Sequence, residues 1–435
     1  MILEPTPRAE RDSCPGALRV HPAADGGLAR VRVPGGWLTA VQWRTLADAA
    51  ARLGDGQLEL TSRGNVQLRG LSADAPARLA VALVDAGLLP SATHENVRNL
   101  LASPMSGIDS AGAADVRPAV AAFDAALRAD PALAQLSGRF LFALDDGRGD
   151  VLSLRPDVAV RALPDGTVAL HLAGWPAGVS AQLAGAPALM LAAAHAFLAE
   201  RGAQAAGAWR LAELTDGPAR VAGRLAASGR WQRGPADRPD AATKPPRAVP
   251  PRPAAPALGS HRRSGGGRVV VVGAPLGRLT AAQVAAIADL LSDDGVCVTA
   301  WRSVILPASA DGALAALAAV GLVTDQADPA GLVTACAGMP GCARSLADVR
   351  ADATAWLAGA PTLTVPAHWS GCARRCGHPA DDHLDIVATG AGYRVNAEGR
   401  SVDVADAGMV AAVIARVSAA PEPQPARSQP GGCPV

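Results

Sequence analysis

Leu38-Thr39-Ala40-Val41-Gln42 and, across the midpoint of the chain, Leu279-Thr280-Ala281-Ala282-Gln283 decide how the sequence is read. Thr-x-x-Gln predicts a capping box, in which the hydroxyl and the amide side chain each satisfy a backbone N–H at a helix start. Leu46, Ala49, Ala50 and Leu53 follow the first box at helical spacing; Ile287, Leu290 and Leu291 follow the second. Gly54 and Gly295 close the two helices. Ahead of each box lies an apolar, strand-forming run, Leu28-Ala-Arg30-Val-Arg32-Val33 and Val269-Val-Val-Val272. Behind each lies an alternating strand, with Leu58 and Leu60 on one face in the first copy and Val296 and Val298 in the second. Glu59 and Cys297 take the opposite face, so Cys297 is read as a strand residue rather than a ligand. A strand–helix–strand unit used twice predicts two halves related by a pseudo-twofold axis.

The second copy is followed by four cysteines, Cys336-Ala-Gly-Met-Pro-Gly-Cys342 and Cys372-Ala-Arg-Arg-Cys376. Two short pairs brought together supply four thiolates, which suits a [4Fe–4S] cluster and hence electron transfer. Structural zinc also takes four cysteines, but C-x5-C is wider than its usual spacing. No basic flank and apolar run opens the sequence, so an oxidising compartment and disulfides are not expected, and the chain is placed in the cytoplasm.

The chain has 435 residues and a net charge of +1, enough for several domains and too little charge to argue for nucleic acid. Pro187 to Glu200 is apolar but too short and interrupted to span a bilayer, and is expected as a buried helix with His195 in the core. No membrane partner is expected. Lys244 is the only lysine; the other basic residues are arginines, whose forked guanidinium suits carboxylate ligands. Residues 229–265 and 421–435 are proline-rich, read as a linker and a disordered tail that holds Cys433.

These features together resemble the sulfite and nitrite reductase superfamily. Thr61-Ser-Arg63-Gly-Asn-Val-Gln67 resembles its Thr-x-Arg-x-x-x-Gln segment, and Asn96-Val-Arg98-Asn99 with Pro104-Met-Ser-Gly107-Ile-Asp109 its Asn-Val-Arg-Asn and Pro-x-x-Gly-x-Asp stretches. The resemblance implies an α+β fold, duplicated, with two ferredoxin-like half-domains plus two larger α/β cofactor-binding lobes in pseudo-twofold symmetry. The boundaries expected are a tail 1–20, half-domain 21–75, lobe 76–228, linker 229–265, half-domain 266–325, cluster-binding lobe 326–420 and tail 421–435. It also implies Cys336, Cys342, Cys372 and Cys376 as cluster ligands, and Arg63, Arg98 and Arg139 as carboxylate- or substrate-binding residues. Where the reductases carry Leu-Pro-x-Lys-Phe-Lys, this chain has Leu136-Ser-Gly-Arg139-Phe140-Leu141, so one of two substrate cations is missing. That loss argues against a small oxyanion substrate.

Ser13-Cys14-Pro15-Gly16, Ala24-Asp25-Gly26-Gly27 and Cys376-Gly-His378-Pro379 are similar to the cobalamin-pathway branch, the precorrin-3B synthases. This resemblance implies an oxidoreductase that hydroxylates precorrin-3A at C20 with O2 and closes a lactone. Electrons would come from an external NADH-dependent donor, since no Gly-x-Gly-x-x-Gly fingerprint follows a strand. Family members are described with a mononuclear non-haem iron beside the cluster. His21, His94, His378 and His383, with Asp25 and Asp109, are its candidate ligands, although His378 is read first as packing beside the cluster or donating a hydrogen bond to its sulfur. Two alternatives stay open, a sirohaem-dependent sulfite or nitrite reductase and a non-catalytic electron-transfer or tetrapyrrole-binding protein. No catalytic residue is assigned.

Overall fold

A computed structural model of the chain describes residues 12, 14–233, 255–307, 312–359, 363, 365–379, 382–397 and 400–418. Most of the expected linker and all of the C-terminal tail, including Lys244 and Cys433, lie outside them. The chain divides into two units, Met1–Gly331 with Gly341–Ala343, and Leu332–Pro340 with Arg344–Val435.

The first unit opens with β1 (His21–Ala23), β2 (Gly26–Val31), β3 (Trp37–Leu38), α1 (Ala40–Leu53), β4 (Leu58–Leu60), β5 (Val66–Leu71) and α2 (Ala75–Asp85). A lobe follows: β6 (Leu100–Ala102), α3 (Arg117–Ala129), β7 (Phe142–Asp145), β8 (Val158–Ala162), β9 (Thr167–Leu172), β10 (Trp175–Gln182), α4 (Ala186–Ala203), α5 (Gly217–Ala227) and β11 (Gln232–Arg233). The second copy runs β12 (Gly259–Arg262), β13 (Arg268–Gly273), β14 (Arg278–Leu279), α6 (Ala281–Asp289), β15 (Val296–Val298), β16 (Ser303–Pro307) and α7 (Ala313–Ala319).

Both capping boxes form. Thr39 Oγ1 accepts from Gln42 N at 3.1 Å and Thr280 Oγ1 from Gln283 N at 3.3 Å, while each glutamine accepts from its threonine's N–H. A box of this kind contributes about 1 kcal/mol. The two copies exchange edge strands. One sheet has the order β1-β2-β5-β4-β14 and the other β12-β13-β16-β15-β3, so each half-domain completes its partner's sheet. One apolar core serves both, with Leu46, Leu58, Leu60, Ile287, Val296 and Val298 buried in it. Trp43 is fully buried at the seam and its indole N–H donates to the Val284 carbonyl at 3.1 Å. Neither half-domain therefore closes its core without the other.

The lobe of the first unit is a sheet of order β11-β10-β9-β8-β7-β6. Its strands β6, β7 and β8 pair parallel, and β8 to β11 antiparallel. Helix α4 lays Leu189, Met190, Ala193 and Phe197 into the core of this lobe. Residues 183–203 are long and apolar enough to cross a membrane by composition alone. His195 departs from the expectation of a core histidine. Its side chain is 46% exposed and its Nε2 lies 2.6 Å from Asp130 Oδ2, because the ring falls on the edge of the helix turned from the sheet.

The second unit holds β17 (Val333–Ala335), α8 (Val349–Ala358), β18 (Ala367–Ser370), β19 (Leu384–Ala388), β20 (Tyr393–Ala397), β21 (Arg400–Val404) and α9 (Val410–Ser418). Strands β17, β18 and β19 pair parallel and β19, β20 and β21 antiparallel. This is the pairing scheme of β6 to β10, so the duplication extends through the lobes. The ends of the segment expected as a linker, 229–265, are ordered as β11 and β12 because each pairs with a strand already in place. β12 answers to β1, which starts the second half-domain before residue 266.

Candidate functional site

The two copies diverge along one cross-strand row. In the first sheet the row is Arg30, Gln67, Glu59 and Arg278, neighbours on β2, β5, β4 and β14. Arg30 donates to Gln67 Oε1 from Nε at 3.2 Å and Nη2 at 2.8 Å, and Gln67 Nε2 donates to Glu59 Oε2 at 2.7 Å. In the second sheet the same row is Val271, Ile305, Cys297 and Trp37. Met105 and Ile108 pack onto it, making a closed apolar cluster. Cys297 is fully buried there, a strand residue as its alternation implied, and burial pushes its thiol up.

The polar row belongs to a group of arginines. Arg32 follows β2 and is 2% exposed; its Nε donates to the Asn96 carbonyl at 3.3 Å, while Nη1 and Nη2 are buried without a hydrogen-bond partner. Burial, then the charges of Arg30 and Arg63, pushes this guanidinium down to about 9, which leaves it charged at neutral pH. Arg63 is pushed down to about 10 by burial and by Arg210, and donates to the Gly138 carbonyl at 3.2 Å. A hollow of about 510 Å³ adjoins these carbonyls, lined by Asp12, Arg19, Asn96, Ser137, Gly138 and Trp209 among others. Cys14 lies in the same region, its thiol raised by burial and Asp12 and opposed by Arg30 and Arg32. Buried Arg32, with two open donors, and the half-buried Arg30 and Arg63 form a cradle for carboxylates.

The turn that carries Arg63 repeats in the second copy. Thr61 Oγ1 accepts from Arg63 N and Asn65 N, as Thr299 Oγ1 does from Trp301 N and Ser303 N. Gly64 at φ 61° matches Arg302 at φ 58°, so the counterpart of Arg63 is Trp301. Likewise Pro34-Gly35-Gly36 matches Pro275-Leu276-Gly277, which sets Arg32 against Gly273 and Arg30 against Val271. Among the described residues the cationic group exists in the first copy alone.

Two of the arginines expected at the site behave differently. Arg98 is 5% exposed and its fork is filled by Asp124, at 2.7 and 3.0 Å, with Nη1 on the Leu88 carbonyl. It holds the lobe together and has no donor turned to a ligand. Arg139 is exposed, with its guanidinium 5.0 Å above the Trp209 ring. Leu141, at the position of the missing cation, is 3% exposed in an apolar cluster with Leu101, Ala143 and Ala159.

Of the expected cluster ligands, Cys336, Cys372 and Cys376 lie in the second unit and Cys342 in the first. Cys376 is exposed and the others are half-buried. Cys336 Sγ accepts from Gly371 N at 3.1 Å. The fully buried His368 spans Thr334 Oγ1 at 2.7 Å and the Cys376 carbonyl at 3.2 Å. The rings of His378 and His383 stack with centroids 5.7 Å apart. Among the described residues no three His, Cys, Asp or Glu side chains are spaced to hold a metal.

Residues 21–83 match the nitrite/sulfite reductase ferredoxin-like half domain. The precorrin-3B synthase of a Sinorhizobium species is 29% identical over 404 residues, covering 88% of this chain and 82% of that protein. The ferredoxin–nitrite reductase of Synechococcus elongatus is 28% identical over 411 residues, covering 87% and 78%. The structure of the Mycobacterium tuberculosis NirA protein superposes with a TM-score of 0.71 at 21% identity, over 90% of this chain and 80% of that one. Residues 21–83 are thus similar to that half domain, and most of the chain is similar to proteins of the sulfite and nitrite reductase superfamily.

The donor chemistry here fits a cluster in kind: four cysteine thiols, one of them taking a backbone N–H bond. The residues proposed for a separate iron do not fit one. Asp25 is bound by Arg69, Asp109 by Arg148, and His94 lies between Thr93 and the Asp130 carbonyl, which leaves these groups committed and scattered. The sequence reading missed Arg30, Arg32 and His368. The signal for the arginines was present, two alternating cations ahead of Pro34-Gly-Gly where the second copy has Val271 and Gly273. His368 carries no motif of its own.

Proposed function

We propose that the chain oxidises a polycarboxylate tetrapyrrole, and specifically that it converts precorrin-3A to precorrin-3B. The observation that carries this reading is the buried arginine group with unfilled donors on Arg32, beside an apolar Leu141 where a small-oxyanion reductase needs a second cation. A macrocycle edged with acetates and propionates supplies several carboxylates at fixed spacing. Arg30, Arg32 and Arg63 would take these groups, and exposed Arg139 with Trp209 would meet the ring's outer edge. Each charge-assisted bond contributes on the order of 1.5–3 kcal/mol, and together they fix which face of C20 is presented. The relatedness to a precorrin-3B synthase over most of both chains points the same way.

Cys336, Cys342, Cys372 and Cys376 are the proposed holders of a [4Fe–4S] cluster, which supplies single electrons when bound. The balance of the reaction is one oxygen atom of O2 into the macrocycle and the other into water, with two electrons and two protons from an external NADH-dependent donor. The residues of this chain bind and orient the substrate. No step is assigned to a separate iron.

The test is turnover of precorrin-3A under isotopically labelled O2 with NADH and a reductase, read by mass spectrometry, alongside acid–acetone extraction of the purified chromophore. One labelled oxygen in the product and no extractable haem support the reading. Sirohaem in the extract with nitrite or sulfite turnover would replace it with the reductase reading. Tetrapyrrole binding without turnover would leave a carrier.

A further inference from the structure

We infer that Arg69 and Asp25 form a positioning pair that holds Cys342 and tunes the cluster it ligates. The inference rests on the cluster ligation proposed above. Arg69 stands on β5 two residues from Gln67, on the same polar face of the sheet, with its side chain 6% exposed. Its Nε and Nη2 both lie 2.9 Å from the Asp25 carboxylate. Nη2 also donates to the Gly341 carbonyl at 2.6 Å, from the residue directly before Cys342.

The clamp leaves no slack at Gly341. A Cβ built there would stand 2.9 Å from Asp25 Oδ2 and 3.0 Å from Arg69 Nη2. A side chain at this position would crowd the ends of both charged groups, so the Gly341 peptide lies close against the ion pair. A partly buried ion pair that reaches across 272 positions of sequence to grip one carbonyl fixes the position of the next residue, Cys342. Its thiol is one of the four proposed as ligands. Among the described residues the arginine cradle makes no use of Arg69, and Asp25 is occupied by Arg69 rather than available to a metal.

The pair places opposite charges beside a redox group that becomes more negative on reduction. Removing the guanidinium leaves Asp25 unbalanced and disfavours the reduced cluster. Removing the carboxylate charge leaves Arg69 unbalanced and favours it. A tenfold change in the reduced-to-oxidised ratio is 59 mV for one electron.

The experiment compares full-length wild type, Arg69→Met, Asp25→Asn and Gly341→Ala after cluster reconstitution. Iron and sulfide content, the electron paramagnetic resonance of the reduced cluster and its midpoint potential are measured. Cluster-free samples are treated with iodoacetamide, and Cys342 alkylation is compared with Cys372 in the same protein by peptide mass mapping. We expect the midpoint to fall in Arg69→Met and rise in Asp25→Asn. Cys342 should alkylate faster in Arg69→Met and Gly341→Ala, with Cys372 unchanged. Arg69→Lys, which keeps the charge but not the fork, should hold the wild-type potential while Cys342 alkylates faster. Equal potentials in both charge variants together with unchanged Cys342 alkylation would overturn the inference. If Arg69→Met does not fold, Gly341→Ala and Arg69→Lys decide it by the alkylation ratio alone. A wild-type protein that takes up no cluster refutes the proposed ligation instead, and the alkylation ratio still reports whether the clamp holds Cys342.

Discussion

Replacing Arg32 should make the ligand-free protein more stable and the ligand-bound protein weaker. Two guanidinium nitrogens of this residue are buried without partners, and each unmet donor costs roughly 1–3 kcal/mol. Arg30 and Arg63 add repulsion, as the fall of Arg32 to about 9 records. Arg32→Met keeps an unbranched side chain of similar length and removes the charge. Because the Nε bond to the Asn96 carbonyl is lost too, we expect a net gain of about 1–3 kcal/mol. Scanning calorimetry should show a rise of a few degrees. In the same variant, affinity for a porphyrin octacarboxylate probe, followed by fluorescence quenching, should fall by ~10–150-fold, the equivalent of one charge-assisted bond of ~1.5–3 kcal/mol. The wild type should gain stability from the probe and the variant little. A lower melting temperature with unchanged probe affinity would refute the argument, since it would make Arg32 a structural residue whose charge is already satisfied.

Arg98→Ala should act in the opposite sense. It leaves Asp124 buried with only the half-exposed Arg128 as a partner and should cost ~3–5 kcal/mol in denaturant unfolding, without a specific loss of probe affinity in the folded fraction. Cys297→Ser should keep full iron and sulfide while losing ~1–3 kcal/mol from a hydroxyl placed in an apolar cluster, whereas Cys336→Ser should lose the cluster on reconstitution. Asp150 gives a pH signature. Burial raises it to about 7 from 3.8, so between those values the unfolded chain has released a proton that the folded chain keeps. Stability should therefore decline as pH rises from 4 to 7 and then level. Asp150→Asn should retain the Ser103 and Val151 bonds to Oδ1, flatten this slope and gain ~2–4 kcal/mol at pH 8.

The duplication was legible because helix caps and strand alternation are local, and the Thr39 and Thr280 boxes formed as written. The strand exchange was not legible. β3 and β14 are two residues long, too short for any period, and their pairing is set by the neighbouring copy's open edge. The arginine motifs pointed to a region, but the contacts each arginine makes depend on partners distant in sequence. Arg98 meets Asp124 on α3, and nothing in Asn-Val-Arg-Asn announces that carboxylate. Arg32 became conspicuous only when its neighbours failed to supply an acceptor. The spacing of the cysteines suggests a soft-metal donor set without fixing how the sulfurs are brought together, because that depends on the fold between residues 342 and 372.

A duplicated half-domain begins with two equivalent polar faces, and this chain keeps only one open. On the second face Val271, Ile305 and Cys297 are capped by Met105 and Ile108, a closed apolar contact of the kind that stabilises a core. On the first, Arg30, Arg32 and Arg63 stay close together and partly unsatisfied, a costly arrangement in a folded protein without its ligand. Stabilities of only ~5–15 kcal/mol leave little room to hold two such groups at once. Filling one face with hydrocarbon offsets the strain kept in the other, and on the proposed reading it limits the chain to one polyanionic ligand. Binding stoichiometry therefore tests the division directly: one probe molecule per chain is required, and a second site of similar affinity would mean that the apolar row opens.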